Sequence, residues 1–203
     1  MTQLKHIFVI FIFSITYNAI SLAQDNPWSQ SYKLETQKKY NDAAKLILPF
    51  ADKSKKSEYA LLRLGWLNYL AGNYNKSIKW YQEASDLNAK SIDARLGIML
   101  PLMAQLRWRE AQNYAEQVLT VAPWQYYAHV RLMACEAAQQ EWDKLEKHAT
   151  SVSQHYPTDA DSLVFLARAE AKLGKIAEAK SNYQKVLQMY PDHLEALKYL
   201  VTH

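Results

Sequence analysis

Three sets of residues recur at an interval of 34. Stepping from Tyr40 gives Tyr74, Trp108, Trp142 and Ile176, and stepping from Ala43 gives Ser77, Ala111, Leu145 and Ala179. A third set runs Pro123, Pro157, Pro191. Columns that hold one register without an insertion mean an array of one repeated supersecondary unit, each burying its apolar face against its neighbours. The apolar positions follow a helical period throughout, which leaves no room for a sheet.

The clearest unit is 58–91. It reads as two amphipathic helices of about a dozen residues each, broken near Gly72 and again near Ala89. Leu61, Leu64, Gly65 and Tyr69 recur at helical spacing on the first, and Tyr74, Ser77, Tyr81 and Ala84 on the second. Small residues at Gly65, Ser77 and Ala84 let two backbones approach, and the large aromatics fill the space between them. This pattern resembles the tetratricopeptide repeat family. The best copies are 58–91, with Leu61, Leu64, Gly65, Tyr81 and Ala84, and 160–193, with Leu163, Leu166, Ala167, Ala179, Tyr183 and Pro191. Unit 24–57 lacks the Leu-Gly pair, and Met99 and Leu145 stand where small residues are expected. The resemblance implies an all-α fold, a right-handed α-solenoid of about five stacked helix hairpins plus a C-terminal capping helix, about eleven helices in total. The expected repeats are 24–57, 58–91, 92–125, 126–159 and 160–193, followed by the capping helix 193–200.

With 203 residues, 49% of them hydrophobic, the chain is long enough to bury a core. Four glycines and six prolines, never in a block, argue against a long linker. A net charge of +4 from interspersed basic and acidic residues is a mixed surface and not a footprint for nucleic acid. Residues 1–23 read as a signal peptide: Lys5, a mostly apolar run over 7–20, then Ser21-Leu22-Ala23 with small residues at the two positions signal peptidase reads. The run is short and broken by Ser14, Thr16 and Asn18, so an uncleaved anchor is the alternative. The expected location is the bacterial periplasm, with 24–203 as the repeat domain.

Asn26-Pro27 should cap and open a helix running to about Lys38, followed by one from Tyr40 to about Asp52. Lys53-Ser54-Lys55-Lys56 makes a basic turn. Ser57 and Ser91 are expected helix caps, and Asp192 with Glu195 has capping-box spacing. Pro101 falls mid-helix, where it removes a hydrogen bond and crowds Gly97.

Nothing in the chain points to catalysis, a cofactor or a metal. The histidines form no HExxH or close pair, and no Gly-rich loop is present to cradle phosphate. Cys135, the single cysteine, excludes an intrachain disulfide and sits on an apolar helix as a small hydrophobe. The expected activity is therefore non-catalytic. The resemblance implies a concave groove lined by first-helix residues, carried over here onto Trp28 and Tyr32 in the first unit and Tyr59, Leu62, Trp66 and Tyr69 in the second. Leu96, Leu100 and Met103 follow in the third and Tyr127 in the fourth, with Arg63 and Arg131 at the rim. The Lys/Asn/Arg set with which some relatives clamp a C-terminal carboxylate is absent, since Trp28 and Tyr32 occupy two of its places. The expectation is an interaction scaffold holding a peptide segment or helix of another envelope or exported protein, its aromatics supplying most of the contact area. The alternatives are a glycan or cell-wall polymer stacked on Trp28, Trp66 and Tyr69, with Glu35, Asn68 and Asn73 as polar partners, and self-association.

Overall fold

The computed structural model describes residues 26–52 and 57–203. The leader-like segment, the basic turn at 53–56 and the opening of the first repeat at 24–25 lie outside them. Among the described residues there are eleven α-helices, one 3-10 turn and no strand. In order these are α1 (Pro27–Thr36), α2 (Tyr40–Ile47), the 3-10 turn Leu48–Ala51, α3 (Glu58–Leu70), α4 (Tyr74–Leu87) and α5 (Ile92–Ala104). Then follow α6 (Trp108–Val121), α7 (Tyr126–Ala138), α8 (Trp142–His155), α9 (Ala160–Lys172), α10 (Ile176–Met189) and α11 (Leu194–Thr202). Helices α2, α4, α6, α8 and α10 start 34 residues apart, and so do α3, α5, α7, α9 and α11. The fold is an α-solenoid of helix hairpins.

Each hairpin turns in the same way. The N–H groups of Lys39, Asn73, Arg107, Glu141 and Lys175 donate to the carbonyls of Leu34, Asn68, Leu102, Glu136 and Glu170, at 2.8–2.9 Å. This reach of five residues requires a left-handed residue just before the donor. That residue is Lys38, Gly72, Leu106, Gln140 or Gly174, with φ of 60°, 74°, 60°, 60° and 78°. Only two of the five are glycine.

Several local expectations are corrected. The first helix stops at Thr36, and the second ends at Ile47 because Pro49 converts the chain to the 3-10 turn. Ser91 caps α5, its Oγ accepting from the Ala94 N–H at 3.1 Å, but Ser57 makes no side-chain cap. No Asp192 capping box forms: His193 caps α11 through its ring Nδ1, and Glu195 is drawn away by Arg168 and Tyr183. Helix α5 runs on through Pro101 to Ala104.

The chain divides into two compact units, Met1–Gly97 and Ile98–His203. In the first, Ala43, Ile47, Leu61, Leu64, Leu67 and Ala84 form the core, with Trp28, Phe50 and Trp80 packed against it. Ser77 Oγ donates to the Gly65 carbonyl at 2.7 Å, tying α4 to α3. The Tyr81 ring lodges between two glycines. A Cβ on Gly65 would lie 2.8 Å from it, and one on Gly97 only 2.2 Å. Gly97, which the sequence places four residues before Pro101, therefore makes room for Tyr81.

The second unit has two cores. Met133, Leu145, Ala149, Val152 and Leu166 build one, and Leu163, Ala167, Tyr183, Val186 and Ala196 the other. Leu145 is wholly buried, so the position read as small accommodates a leucine.

Candidate functional site

In the first unit the residues at 28, 31, 32 and 35 share one side of α1, and 59, 63 and 66 one side of α3, because three- and four-residue steps return to the same face. The two faces are knitted together. The Trp28 ring lies 4.9 Å from Tyr59 and 5.1 Å from Phe50. Tyr32 and Tyr59 hydrogen-bond through their hydroxyls, and the Arg63 guanidinium sits 3.9 Å from the Tyr32 ring centroid. Below them Arg63 pairs with Glu35 and donates to Ser31 Oγ at 3.2 Å, while the Trp66 indole N–H donates to the other Glu35 oxygen at 2.8 Å. Both carboxylate oxygens are thereby occupied, and the buried Arg63 charge is compensated. Trp66 and Tyr69 are 5.7 Å apart, and Tyr69 and Tyr74 6.0 Å, which carries the aromatic row onto α4.

What this face offers a partner differs from the linear reading. Tyr32 and Tyr59 stand 45% and 53% exposed and form a platform already fixed in place. Trp28, Leu62, Trp66 and Tyr69 are half-buried. Arg63 and Leu96 are buried, so neither reaches the surface; Arg63 instead supports Tyr32 from below. The polar groups that a sugar would need are engaged within the protein. Glu35 holds Arg63 and Trp66, Asn68 donates to the Leu64 carbonyl, and Asn73 donates to Asn41. The Tyr32 hydroxyl has its pKa raised, chiefly by the bond to Tyr59 and then by burial.

In the second unit, Leu100 and Met103 are half-buried on α5, Tyr127 is exposed on α7, and the Arg131 guanidinium lies 5.8 Å from the Tyr127 ring centroid. Beside Tyr127, the Tyr126 hydroxyl donates to Asp159 at 2.8 Å and Asp161 at 3.2 Å, while burial raises its pKa. The Trp124 ring stacks on His155 at 3.7 Å. Arg168 makes a two-point pair with Glu195, at 3.0 and 2.6 Å, and Tyr183 donates to the same carboxylate. Arg168 and Glu195 stand at the same repeat positions as Tyr32 and Tyr59, 27 residues apart in both cases.

Two buried polar pairs escaped the sequence reading. Glu136 accepts from His148 at 2.9 Å, and Glu170 accepts twice from Asn182, at 3.0 and 2.8 Å. The signal for them was available: a step of 34 takes Glu136 to Glu170 and His148 to Asn182, a polar column alongside the apolar ones. His148 also bonds His129 at 2.8 Å, and His129 Nε2–H donates to the Pro123 carbonyl at 2.9 Å. Burial pushes the His129 pKa down and the Glu170 pKa up, and it raises the Cys135 thiol to about 12, far from a reactive thiolate. The two histidines face each other, not a shared centre, and no group of three metal-ligating side chains occurs among the described residues. Nor, among those residues, is any helix long and apolar enough to cross a membrane.

Two tetratricopeptide repeat family models match the chain, one over residues 33–92 and one over 160–193. Among solved structures, a thermophilic tetratricopeptide-repeat protein of Thermus thermophilus is 18% identical, with a TM-score of 0.64 over 87% of this chain and 97% of its own. YrrB, described as having an unusual peptide-binding site, is 16% identical, with a TM-score of 0.69 over 90% of this chain and 95% of its own. MamA of Desulfovibrio magneticus RS-1 is 14% identical, with a TM-score of 0.72 over 83% and 95%. At these identities the likeness is one of fold. A comparison with the curated proteins found no match.

Proposed function

Because the chain belongs to the tetratricopeptide repeat family, we propose that it is a non-catalytic protein-interaction scaffold. Its first-helix face in the Met1–Gly97 unit would hold a peptide segment or helix of another exported protein. The family carries protein interaction in general; the aromatic face gives this member a particular surface. The observation that supports the reading most is the Tyr32 and Tyr59 pair, half-exposed, joined by its hydroxyls and backed by Trp28 and Arg63. Aromatic side chains with their torsions already fixed bury large area on binding at small entropic cost, and such residues dominate interface energies. That YrrB, of the same fold, has a peptide-binding site lends the reading further support.

The place of action we propose is the bacterial envelope, on the strength of the leader-like 1–23 segment. Protein produced with its own leader and recovered from the periplasm should have the intact mass of a chain beginning at Gln24. Recovery of uncleaved protein in the membrane fraction would refute this.

The binding proposal is tested by using the protein as bait on envelope extract and measuring the affinity of the recovered partner for wild type and for Tyr32→Ala with Tyr59→Ala. Loss of a central aromatic anchor costs at least about 2 kcal/mol, roughly thirtyfold in affinity. Each ring is about half exposed and packs on Trp28 or Arg63, so the variant should melt somewhat lower yet still fold, and circular dichroism below its melting temperature checks that the helices are intact. A partner bound equally well by the variant would remove this face from consideration.

A further inference from the structure

The second helices of the first two hairpins enclose a groove on the other side of the same unit. It is a cavity of about 630 Å³ whose walls are α2 and α4 and whose floor is α3. On α3 the floor residues Leu64 and Asn68 are one turn apart, and Leu64 is two residues from Trp66. At 3.6 residues per turn this places the groove on the side of the helix away from the tyrosine platform. Its lining contains three lysines, Lys45, Lys76 and Lys79, and no carboxylate.

The positive lining continues along the groove. An adjoining cavity of about 370 Å³ shares Asn41 and adds Lys38 and Lys39, with Asp42 its one acidic residue. Asp42 is spent on Lys45 at 2.8 Å, a pair that holds its carboxyl below the usual range. Lys76 and Lys79 are exposed one turn apart on α4. The groove is also graded along its length. Asn41 and Asn73, bonded to each other, lie at the end where α2 and α4 begin; Leu48, first residue of the 3-10 turn that follows α2, and Trp80 on α4 lie further along. From Asn41 to Leu48 is about two helical turns, roughly 10 Å, the span of about three residues of extended chain.

We propose that this groove is a second docking site, one that takes a short, extended, acidic peptide segment of a partner protein. Its carboxylates lie against Lys76 and Lys79, its main chain meets the side-chain amides of Asn41 and Asn73, and an apolar side chain seats on Leu48 and Trp80. Charge complementarity identifies the occupant as acidic. The end lined by Leu48 and Trp80 identifies it as peptide, because it is apolar and the lining holds no carboxylate to pair with sugar hydroxyls. The site is separate from the tyrosine platform and goes beyond the function proposed for it.

The probe is a fluorescein-labelled acetyl-Glu-Asp-Glu-Leu amide, titrated by anisotropy against the wild-type chain at low salt. Lys76→Glu with Lys79→Glu should weaken binding at least about tenfold, about 1.4 kcal/mol, with an unchanged melting temperature since both side chains are exposed. Tyr32→Ala with Tyr59→Ala should bind the probe as wild type does, which separates this test from that of the platform. Binding should weaken as salt rises to about 0.15 M, where exposed charges are screened beyond roughly 8 Å. The proposal is overturned if the wild type shows no binding up to about 1 mM probe or if the lysine variant binds equally. It is also overturned if a Gln-Asn-Gln-Leu probe binds as tightly, or if polygalacturonate displaces the probe more effectively per carboxylate than unlabelled peptide, which would mark a glycan site.

Discussion

Replacing Gly97 with alanine sets two measurable effects against each other. In a helix interior, alanine is favoured over glycine by about 1 kcal/mol, because glycine loses more backbone freedom on folding. At Gly97 the added methyl would meet Tyr81 Cε1 at 2.2 Å and Cδ1 and Cζ at 2.5 Å. Normal carbon contact is about 3.5 Å, so the ring or the helix must move by about 1 Å. Tyr81 is 4% exposed and cannot retreat, since the Cβ position of Gly65 is 2.8 Å from the same ring. Overpacking of this kind costs about 1–3 kcal/mol, and the net effect of Gly97→Ala should be a loss of up to about 2 kcal/mol. The sign should reverse when the ring is removed. In a Tyr81→Leu background, itself less stable, Gly97→Ala should become neutral or stabilising by up to about 1 kcal/mol. Urea denaturation of the four proteins gives the coupling energy directly, expected at about 1–3 kcal/mol. If Gly97→Ala stabilises both backgrounds equally, to within about 0.5 kcal/mol, the lodging of Tyr81 between the glycines does not limit the fold.

Leu106→Gly should stabilise the protein by about 0.5–1 kcal/mol, since a left-handed non-glycine costs about 1–2 kcal/mol and the glycine returns part of that as lost unfolded-state restriction. Gly72→Ala, in open space at φ 74°, should destabilise it; denaturation midpoints check both. Ser91→Ala should cost about 1 kcal/mol through loss of the α5 cap, whereas Ser57→Ala should stay within about 0.5 kcal/mol, as thermal melts will show. Glu35→Ala leaves the buried Arg63 uncompensated and should cost about 3 kcal/mol or more, with Glu35→Gln recovering part of the loss through the Trp66 bond. Burial would raise the Glu195 carboxyl pKa, but bonds from Arg168 and Tyr183 together hold it below the usual range. Its contribution should therefore be present above about pH 4.3 and be lost as pH falls through the lower folded value, giving an acid limb that Glu195→Gln flattens.

The period was legible because bulky residues such as Tyr40, Tyr74 and Trp108 hold places that packing cannot vary. Helix starts follow those columns. The turns were less legible because the left-handed position is a backbone requirement, and three of five hairpins meet it with Lys38, Leu106 and Gln140 in place of glycine. A step of 34 from Gly65 leads to Met99, which is buried, so the period does not mark Gly97 as the second glycine that makes space for Tyr81. The candidate groove was legible as a set of positions but not as a surface. Whether Arg63 faces solvent depends on Glu35, 28 residues earlier, and no local pattern announces that pairing. The lysine-lined groove leaves no local signal, since its residues come from three helices, none of which is strongly basic alone.

The link between consecutive first helices has two chemical versions in one molecule: Tyr32 to Tyr59, and Arg168 to Glu195. The architecture thus prescribes a fastening at these two places and leaves its chemistry open. A phenol pair is indifferent to ionic strength, while an ion pair weakens as counterions gather. The chain consequently carries couplings of unequal sensitivity to its surroundings, and exchanging Tyr32 for arginine and Tyr59 for glutamate would transplant the salt response from one hairpin junction to another while the repeat itself is kept.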